Sequence, residues 1–422
     1  MRTIGKSFKD VSANLLKIRP SILFAFCFLI YMPKFNLPAI IQQIISVIIP
    51  LAYILFNIDR IGKIGKKQWA IVLSAILLSL LSCVFPLLHG TGDFSYFAIS
   101  LIFYRKALTF VALLLMIEKH HGRERSLQYF MYYFILTHIA YVIGTLLFVF
   151  IPGLRSVWFS IFEKEVMYGN EAGHLFRVGW RGFAGFRVTL YCTISVIFAL
   201  YLRYGAKPAQ ITNQQFLFAY LFNIAGNMFY GRSGLLISLI VSILGFLYWN
   251  RKNLKRIVVA ALSSVILILG IGSLRYIPLL QNWYEWMSSP IINLVTTGDM
   301  QNSSFDRLQE MNQVKIEGTT LLVGDGYYTE EDGHYYMRTD AGFVRNVLFW
   351  GLIGALISYG TTLYSIFTLF RLNKLLVLQI LILFIAFEYK GAAYYEFLPI
   401  MFILNTAMYD SKTAYNHKTE LA

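Results

Sequence analysis

Apolar runs long enough to cross a bilayer follow one another along this chain, separated by short polar breaks. A helix needs about 17–25 such residues to traverse the hydrocarbon core. The runs do not alternate apolar with polar positions as barrel strands do. Lipid offers no water to the backbone, so the runs must be helices. The pattern predicts about 12 spans, near 20–33, 38–57, 68–88, 95–117, 128–151, 188–202, 215–230, 235–249, 257–272, 342–370, 375–389 and 392–408. Two long polar segments, 153–186 and 273–341, interrupt them. The expected fold is therefore an all-α polytopic membrane protein, with residues 1–422 forming a single integral membrane domain.

Composition agrees: 57% hydrophobic, 17% aromatic and 14% charged residues, with mean hydropathy +0.58, exclude a soluble domain. The first apolar run ends in Tyr31-Met32-Pro33-Lys34 with no small-residue cleavage site, so a cleavable signal peptide is not expected. Cys27, Cys83 and Cys192 all fall in apolar runs. That placement suggests small packed hydrophobes rather than disulfides or a zinc site.

The net charge of +15 would point to nucleic acid in a soluble protein. Here the basic residues concentrate in short segments: 2–19, 59–67, 118–125 and 251–256. The positive-inside rule puts these in the cytoplasm, so both termini are expected inside and both long loops outside. Charge is then a topology signal, with attraction to anionic membrane lipid as a by-product. No nucleic-acid partner is expected.

Any chemistry in the long loops works outside the cytoplasm, where ATP and nucleotide sugars are absent. The substrate must arrive activated, or the protein is a transporter. Soluble mass on one face favours an enzyme, because alternating-access transporters usually carry two comparable repeats. Arginines dominate these outer segments: Arg155, Arg177, Arg181, Arg187, Arg232, Arg275, Arg307, Arg338 and Arg345, against Lys164 and Lys315 in the two loops. Guanidinium grips phosphate through paired hydrogen bonds and stays charged when desolvated. An anionic lipid headgroup such as a pyrophosphate fits that preference; interfacial anchoring is the alternative for any one arginine. Arg232, between Gly231 and Ser233-Gly234, has few routes to water. Arg105 and Lys106 lie mid-span and could line a cavity, mark a broken helix or pair with an acid, the last being favoured.

The stretch from Gly324-Asp325-Gly326 through Asp340-Ala341-Gly342 to Gly351-Leu352-Ile353-Gly354 passes from a polar loop into an apolar run. It sets Asp340 and Arg345 at the lipid boundary. They read either as a working site or as an interfacial helix start, with Asp340 as N-cap and Arg345 snorkelling. Asp325, Asp332, His334 and Asp340 are candidate bases, Asp340 the best placed. His334 is expected to be exposed. Glu388, Lys390 and Glu396 read as a solvated turn. Tyr335-Tyr336 and Tyr394-Tyr395 could stack on sugar rings, though interfacial belts are commoner. No D-x-D pair, Ser-His-Asp set or Gly-rich phosphate loop stands out, so no metal or cofactor is expected.

With Arg181-Gly182-Phe183-Ala184-Gly185-Phe186-Arg187, Gly231-Arg232-Ser233-Gly234 and the 324–354 stretch in view, the chain resembles the O-antigen polymerase (Wzy-type) and O-antigen ligase superfamily. Ligases carry a histidine where Asp340 stands, so the likeness is to polymerases. Arg307 and Gly318 echo an Arg-x10-Gly pattern of some polymerases. The resemblance implies a GT-C-like membrane glycosyltransferase in a bacterial inner membrane, with a periplasmic active site. It would transfer a glycan from undecaprenyl pyrophosphate to the non-reducing-end hydroxyl of another lipid-linked repeat unit, without metal or nucleotide. Arg181, Arg187, Arg232 and Arg345 would bind the pyrophosphate. Asp340, Arg345 and Arg232 would be catalytic, and His334, Arg338 and Tyr336 would meet the acceptor. Undecaprenyl-pyrophosphate-linked oligosaccharide would be the partner, with a chain-length regulator as a further one. The alternatives are a ligase acting on lipid A core and a lipid-linked oligosaccharide flippase or other transporter.

Overall fold

The computed structural model describes residues 16–35, 38–61, 65–162, 175–251, 273–297, 303–316 and 318–420. Its helices are α1 Pro20–Ile30, α2 Ala39–Leu55, α3 Lys66–Leu88, α4 Ser95–His121, α5 Ser126–Phe150, α6 Pro152–Ile161, α7 Phe186–Leu200, α8 Asn213–Tyr230, α9 Arg232–Asn250, α10 Pro278–Thr297, α11 Ser303–Asn312, α12 Gly318–Val323, α13 Gly342–Phe367, α14 Lys374–Lys390 and α15 Tyr394–Glu420. Among the described residues the only sheet is a hairpin of β1 Val178–Gly179 and β2 Gly182–Phe183. The protein is all-α. The run expected near 257–272, most of the basic segment 251–256, and Lys164 lie outside the described residues.

Among the described residues six helices are long and apolar enough to cross a membrane: α3, α4, α5, α7 with its continuation to Gly205, α9 and α13. Of the other expected spans, one lies outside the described residues and others form helices at or below the lower length limit. α1 has 11 residues and α2 and α14 have 17 each, and at about 1.5 Å per residue an 11-residue helix falls well short of a bilayer. The two long polar segments are not plain loops, since they contain α6, the hairpin, α10, α11 and α12.

Local signals account for the helix starts. α1 and α6 open on proline, which suits a first turn where no N–H is needed. Thr212 and Gln215 form a reciprocal capping box at α8. The Asn373 side chain accepts from the N–H groups of Leu375 and Leu376 at α14. α3 shows the membrane signature most clearly. Ile71, Ala75, Leu78 and Ser82 form its buried stripe, whereas Leu73, Leu77, Leu80, Val84 and Leu87 form an exposed one. Both stripes being largely apolar suits a helix with protein on one side and lipid on the other.

The chain forms two compact units: residues 1–43 with 128–301, and residues 44–127 with 302–422. The first is built around α7, almost wholly buried against α8 and α9. Thr193 donates to Asn227 Oδ1 at 3.1 Å, and Asn227 donates to Ser238 Oγ at 2.7 Å, tying the three helices through one polar knot. In lipid such bonds contribute about 0.6–2 kcal/mol each. Phe159 of α6, Phe176, Val178 of the hairpin, and Leu280, Trp283 and Met287 of α10 share one apolar cluster. Parts of both long polar segments thus pack together within this unit.

In the second unit α4 packs on α15 and α3, and α13 on α3, α14 and α15. α13 is not one straight rod. Gly351 adopts φ 65°, ψ −171°, so residues 342–350 form a separate first half. The N–H groups of Asp325 and Gly326 donate to the carbonyls of Leu348 (2.7 Å) and Phe349 (3.2 Å). The 324–326 loop therefore satisfies carbonyls that the break releases. Irregular backbone at membrane depth is tolerated only where protein or a cavity supplies such partners.

Candidate functional site

The first half of α13 begins at Gly342, whose Cα lies so close to Glu388 that a Cβ would sit 2.3 Å from Oε1. That closeness lets the half-helix nest on α14. It also places Arg345 and Asn346 in the interior, at 6% and 0% exposure. Arg345 does not snorkel. Its guanidinium carbon lies 3.8 Å from the centre of the Tyr328 ring and 3.5 Å from that of Tyr335. Nε and Nη2 are buried with no hydrogen-bond partner among the described residues. The two rings, inclined at 63° with centres 6.0 Å apart, crowd the guanidinium carbon from two sides, and aromatic rings offer N–H edges no strong acceptor. A buried cation in that state is set up for an acceptor with several oxygens.

Beneath it lies a polar network. Glu388 is fully buried and accepts from the N–H groups of Ala393 (2.7 Å) and Tyr394 (2.9 Å), from Tyr359 (3.0 Å) and from Asn346 Nδ2 (3.3 Å). Asn346 also donates to Tyr359 at 2.5 Å and accepts from Tyr96. Glu396 is buried too and pairs with Lys106. The expectation of a solvated turn at Glu388 and Glu396 is overturned. α14 and α15 meet through a tight turn, and the two carboxylates point inward, where backbone N–H groups and a lysine compensate them. Pairing with an acid, favoured for Lys106, is what the structure has, and α4 runs unbroken through it.

The 324–340 loop is fastened over this region. Asp93 accepts from the N–H groups of Ser95, Tyr328 and Thr329 at 2.6–2.9 Å. Burial alone would raise its carboxyl, but hydrogen bonds from Ser95, Thr329 and Tyr328 outweigh this and hold it below the usual value. Asp325 accepts from Thr320 (2.6 Å) and Tyr336 (3.1 Å), so it acts as a clasp. Burial, followed by the Asp325 carboxylate, pushes the Tyr336 hydroxyl up to about 12. Arg338 pairs with Glu330 at 3.2 Å and Asp332 at 2.5 Å, and its carbonyl accepts from Arg307. His334 is exposed. Asp340 is exposed as well, and its carboxylate accepts no hydrogen bond from the described residues. It does not cap α13: the N-cap position is Ala341, with no side-chain cap.

The other expected residues belong to the first unit. Arg187 and Arg232 stand in the first turns of α7 and α9. These turns lie side by side, since Gly231 and Gly234 both pack against Thr189. Arg232 stacks on Trp286 (4.6 Å to its centre) and donates to the Trp286 carbonyl (3.0 Å) and Ser289 Oγ (3.1 Å). Arg177 lies over the same indole at 5.2 Å. Arg181 is half-buried at the hairpin turn. Two helix N-termini, each a partial positive charge, thus lie beside one another with Arg187 and Arg232 in their first turns.

Sequence reasoning missed Glu388, Asn346, Tyr328 and Tyr359. A carboxylate within five residues of an apolar run's end was the available signal for Glu388, and an amide beside Arg345 was the signal for Asn346. No family model, curated protein or solved structure matches this chain.

Proposed function

We propose that this protein is a polysaccharide polymerase of the O-antigen type. It would move a growing glycan from undecaprenyl pyrophosphate to the non-reducing-end hydroxyl of another lipid-linked repeat unit, at the outer face of a bacterial inner membrane. One observation carries the reading: Arg345 is buried with two N–H-bearing nitrogens that have no hydrogen-bond partner among the described residues, at the head of a broken membrane helix. Such a group supports a departing diphosphate, whose oxygens would take those N–H groups and whose charge it would stabilise. Arg181, Arg187 and Arg232 supply phosphate-binding groups in the first unit, with Arg232 held rigid by Trp286.

For the acceptor, Asp340 offers an uncommitted carboxylate close in sequence to Arg345, suited to removing a hydroxyl proton. A cleft of about 680 Å³ lies beside the first half of α13, lined by Leu308, Gln309, Asn312, Gln313, Phe343 and Tyr389. Its amides and aromatic rings are of the kind that hold sugars. Arg338 and Tyr336 have partners within the loop. A role in acceptor binding would need those contacts to be shared.

The deciding experiment mixes purified protein with lipid-linked repeat units and no nucleotide sugar. A ladder of longer glycans is expected, lost in Arg345→Gln. A product that stays one repeat long would overturn the reading. The break at Gly351 favours one second reading, movement of the same lipid-linked glycan across the membrane, because transporters place broken helices at their binding sites. Transport in vesicles without any new glycosidic bond would select it.

A further inference from the structure

The rings flanking Arg345 are not equivalent. Tyr328 is a fixed floor: it is 3% exposed, packs edge-on against Tyr96 at 4.5 Å, and its own N–H is held by Asp93. Tyr335 is a roof. It is 42% exposed and comes from the far side of a small hairpin, bridged at Thr329 and Tyr335 and closed by a hydrogen bond from the Glu330 N–H to the His334 carbonyl.

The two legs of this hairpin differ as well. Asp93 pins the outgoing leg through the N–H groups of Tyr328 and Thr329. The returning leg runs into Met337 and Arg338, two consecutive non-glycine residues at φ 55° and 54°. Side chains disfavour that conformation, and such strain gathers at ligand clamps and switch segments. The Arg338 side chain pairs within this loop, with Glu330 and Asp332, and its carbonyl accepts from Arg307 of α11; all of these contacts are at least partly exposed. Lifting the Tyr335 ring therefore costs its contacts with Arg345 and Tyr328, while the ion pairs of the hairpin tip travel with it.

We infer that Tyr335 is a displaceable cover on an anion site at Arg345, and that a lipid-linked diphosphate enters by lifting it. The ring shields the guanidinium from water while the site is empty. An entering diphosphate replaces the ring over one face and takes the idle N–H groups of Nε and Nη2. Because the cover must be displaced first, it weakens apparent affinity in proportion to the closed fraction. This rests on the assignment of Arg345 to a diphosphate made above.

The test measures binding of two probes to the full-length protein in detergent: inorganic pyrophosphate and a short polyprenyl diphosphate. Tyr335→Ala should tighten binding by about 3- to 30-fold, the range expected for removing one cation–π contact, and Tyr335→Phe should bind like the parent. Tyr335→Cys should react with a water-soluble thiol reagent faster when the probe is bound. Tyr335 is partly exposed, so these variants are expected to fold. Stronger tightening for the polyprenyl probe than for pyrophosphate would assign the site to a lipid headgroup; equal tightening would assign it to the phosphate moiety alone. Unchanged or weaker binding in Tyr335→Ala, with binding still lost in a folded Arg345→Gln, overturns the cover but leaves the anion site standing. Undiminished binding in Arg345→Gln overturns both.

Discussion

Gly324 lies with its Cα against the break at Gly351: a Cβ on Gly324 would fall 2.4 Å from the Phe349 carbonyl oxygen and 2.7 Å from the Gly351 nitrogen. The loop that carries the candidate chemistry and the helix that carries Arg345 are thus joined backbone to backbone. Neither glycine tolerates a side chain. At Gly351, φ 65° with ψ −171° is a region other residues scarcely enter, and a Cβ there would meet the Leu322 carbonyl at 2.2 Å. Gly351→Ala is expected to destabilise the protein by at least about 2 kcal/mol. A thermal melt in detergent should show a lowered midpoint, whereas Gly360→Ala, with open space around it, should leave the midpoint where it was.

Glu388 is the hub on which the first half of α13 and the α14–α15 turn converge. Glu388→Ala would strand two backbone N–H groups, Tyr359 and Asn346 without their acceptor. The expected loss is about 2–5 kcal/mol, since each buried donor left without an acceptor costs about 1–3 kcal/mol. Glu388→Gln keeps one carbonyl oxygen for the two N–H groups and should lose roughly half as much. Equal melting temperatures for the two variants would show that the charge, rather than the acceptor geometry, is what matters.

Asp93 gives the loop a dependence on pH. Its carboxyl titrates below the usual value of 3.8 in the folded protein. The stabilisation it contributes is therefore complete above that value and disappears as pH falls through the lower, folded one. Acid should loosen the 324–340 loop below about pH 4. Limited proteolysis between Gly326 and Arg338 should accelerate there in the parent protein. In Asp93→Asn the cleavage should be fast at every pH.

These elements mark how far the sequence could be read. Apolar runs of bilayer length announced the helices, because hydropathy acts locally and lipid admits little else. Arg345 and Arg232 stood out as charges at helix starts for the same reason. The rest depends on contacts between distant residues. Nothing near Glu388 in the sequence states that Gly342 will leave room for it, or that the next turn will aim two N–H groups at it. Lys106 found Glu396 across nearly three hundred residues. Met337 and Arg338 carry no glycine signature, so their left-handed backbone was invisible. Tyr328 and Tyr335 looked like any interfacial tyrosines, because a ring's neighbour is decided by the loop's path.

The role of Arg232 can be separated from mere positive charge. Its guanidinium carbon lies over the Trp286 ring, 4.6 Å from its centre, while one nitrogen reaches both the Trp286 carbonyl and Ser289. A lysine could keep the charge but could not stack as a plane while donating along its edge. If Arg232 serves to present fixed N–H groups to a phosphate, Arg232→Lys should reduce polymer formation by about 10-fold or more, since a charge-assisted hydrogen bond contributes about 1.5–3 kcal/mol. Protein yield and melting temperature should change little, because the side chain is only half-buried. Trp286→Phe should fall between, as it retains an aromatic face and the same backbone carbonyl. Polymer length and amount, followed on the purified protein with lipid-linked repeats, would decide it: polymer formation undiminished in Arg232→Lys would reduce Arg232 to an interfacial anchor.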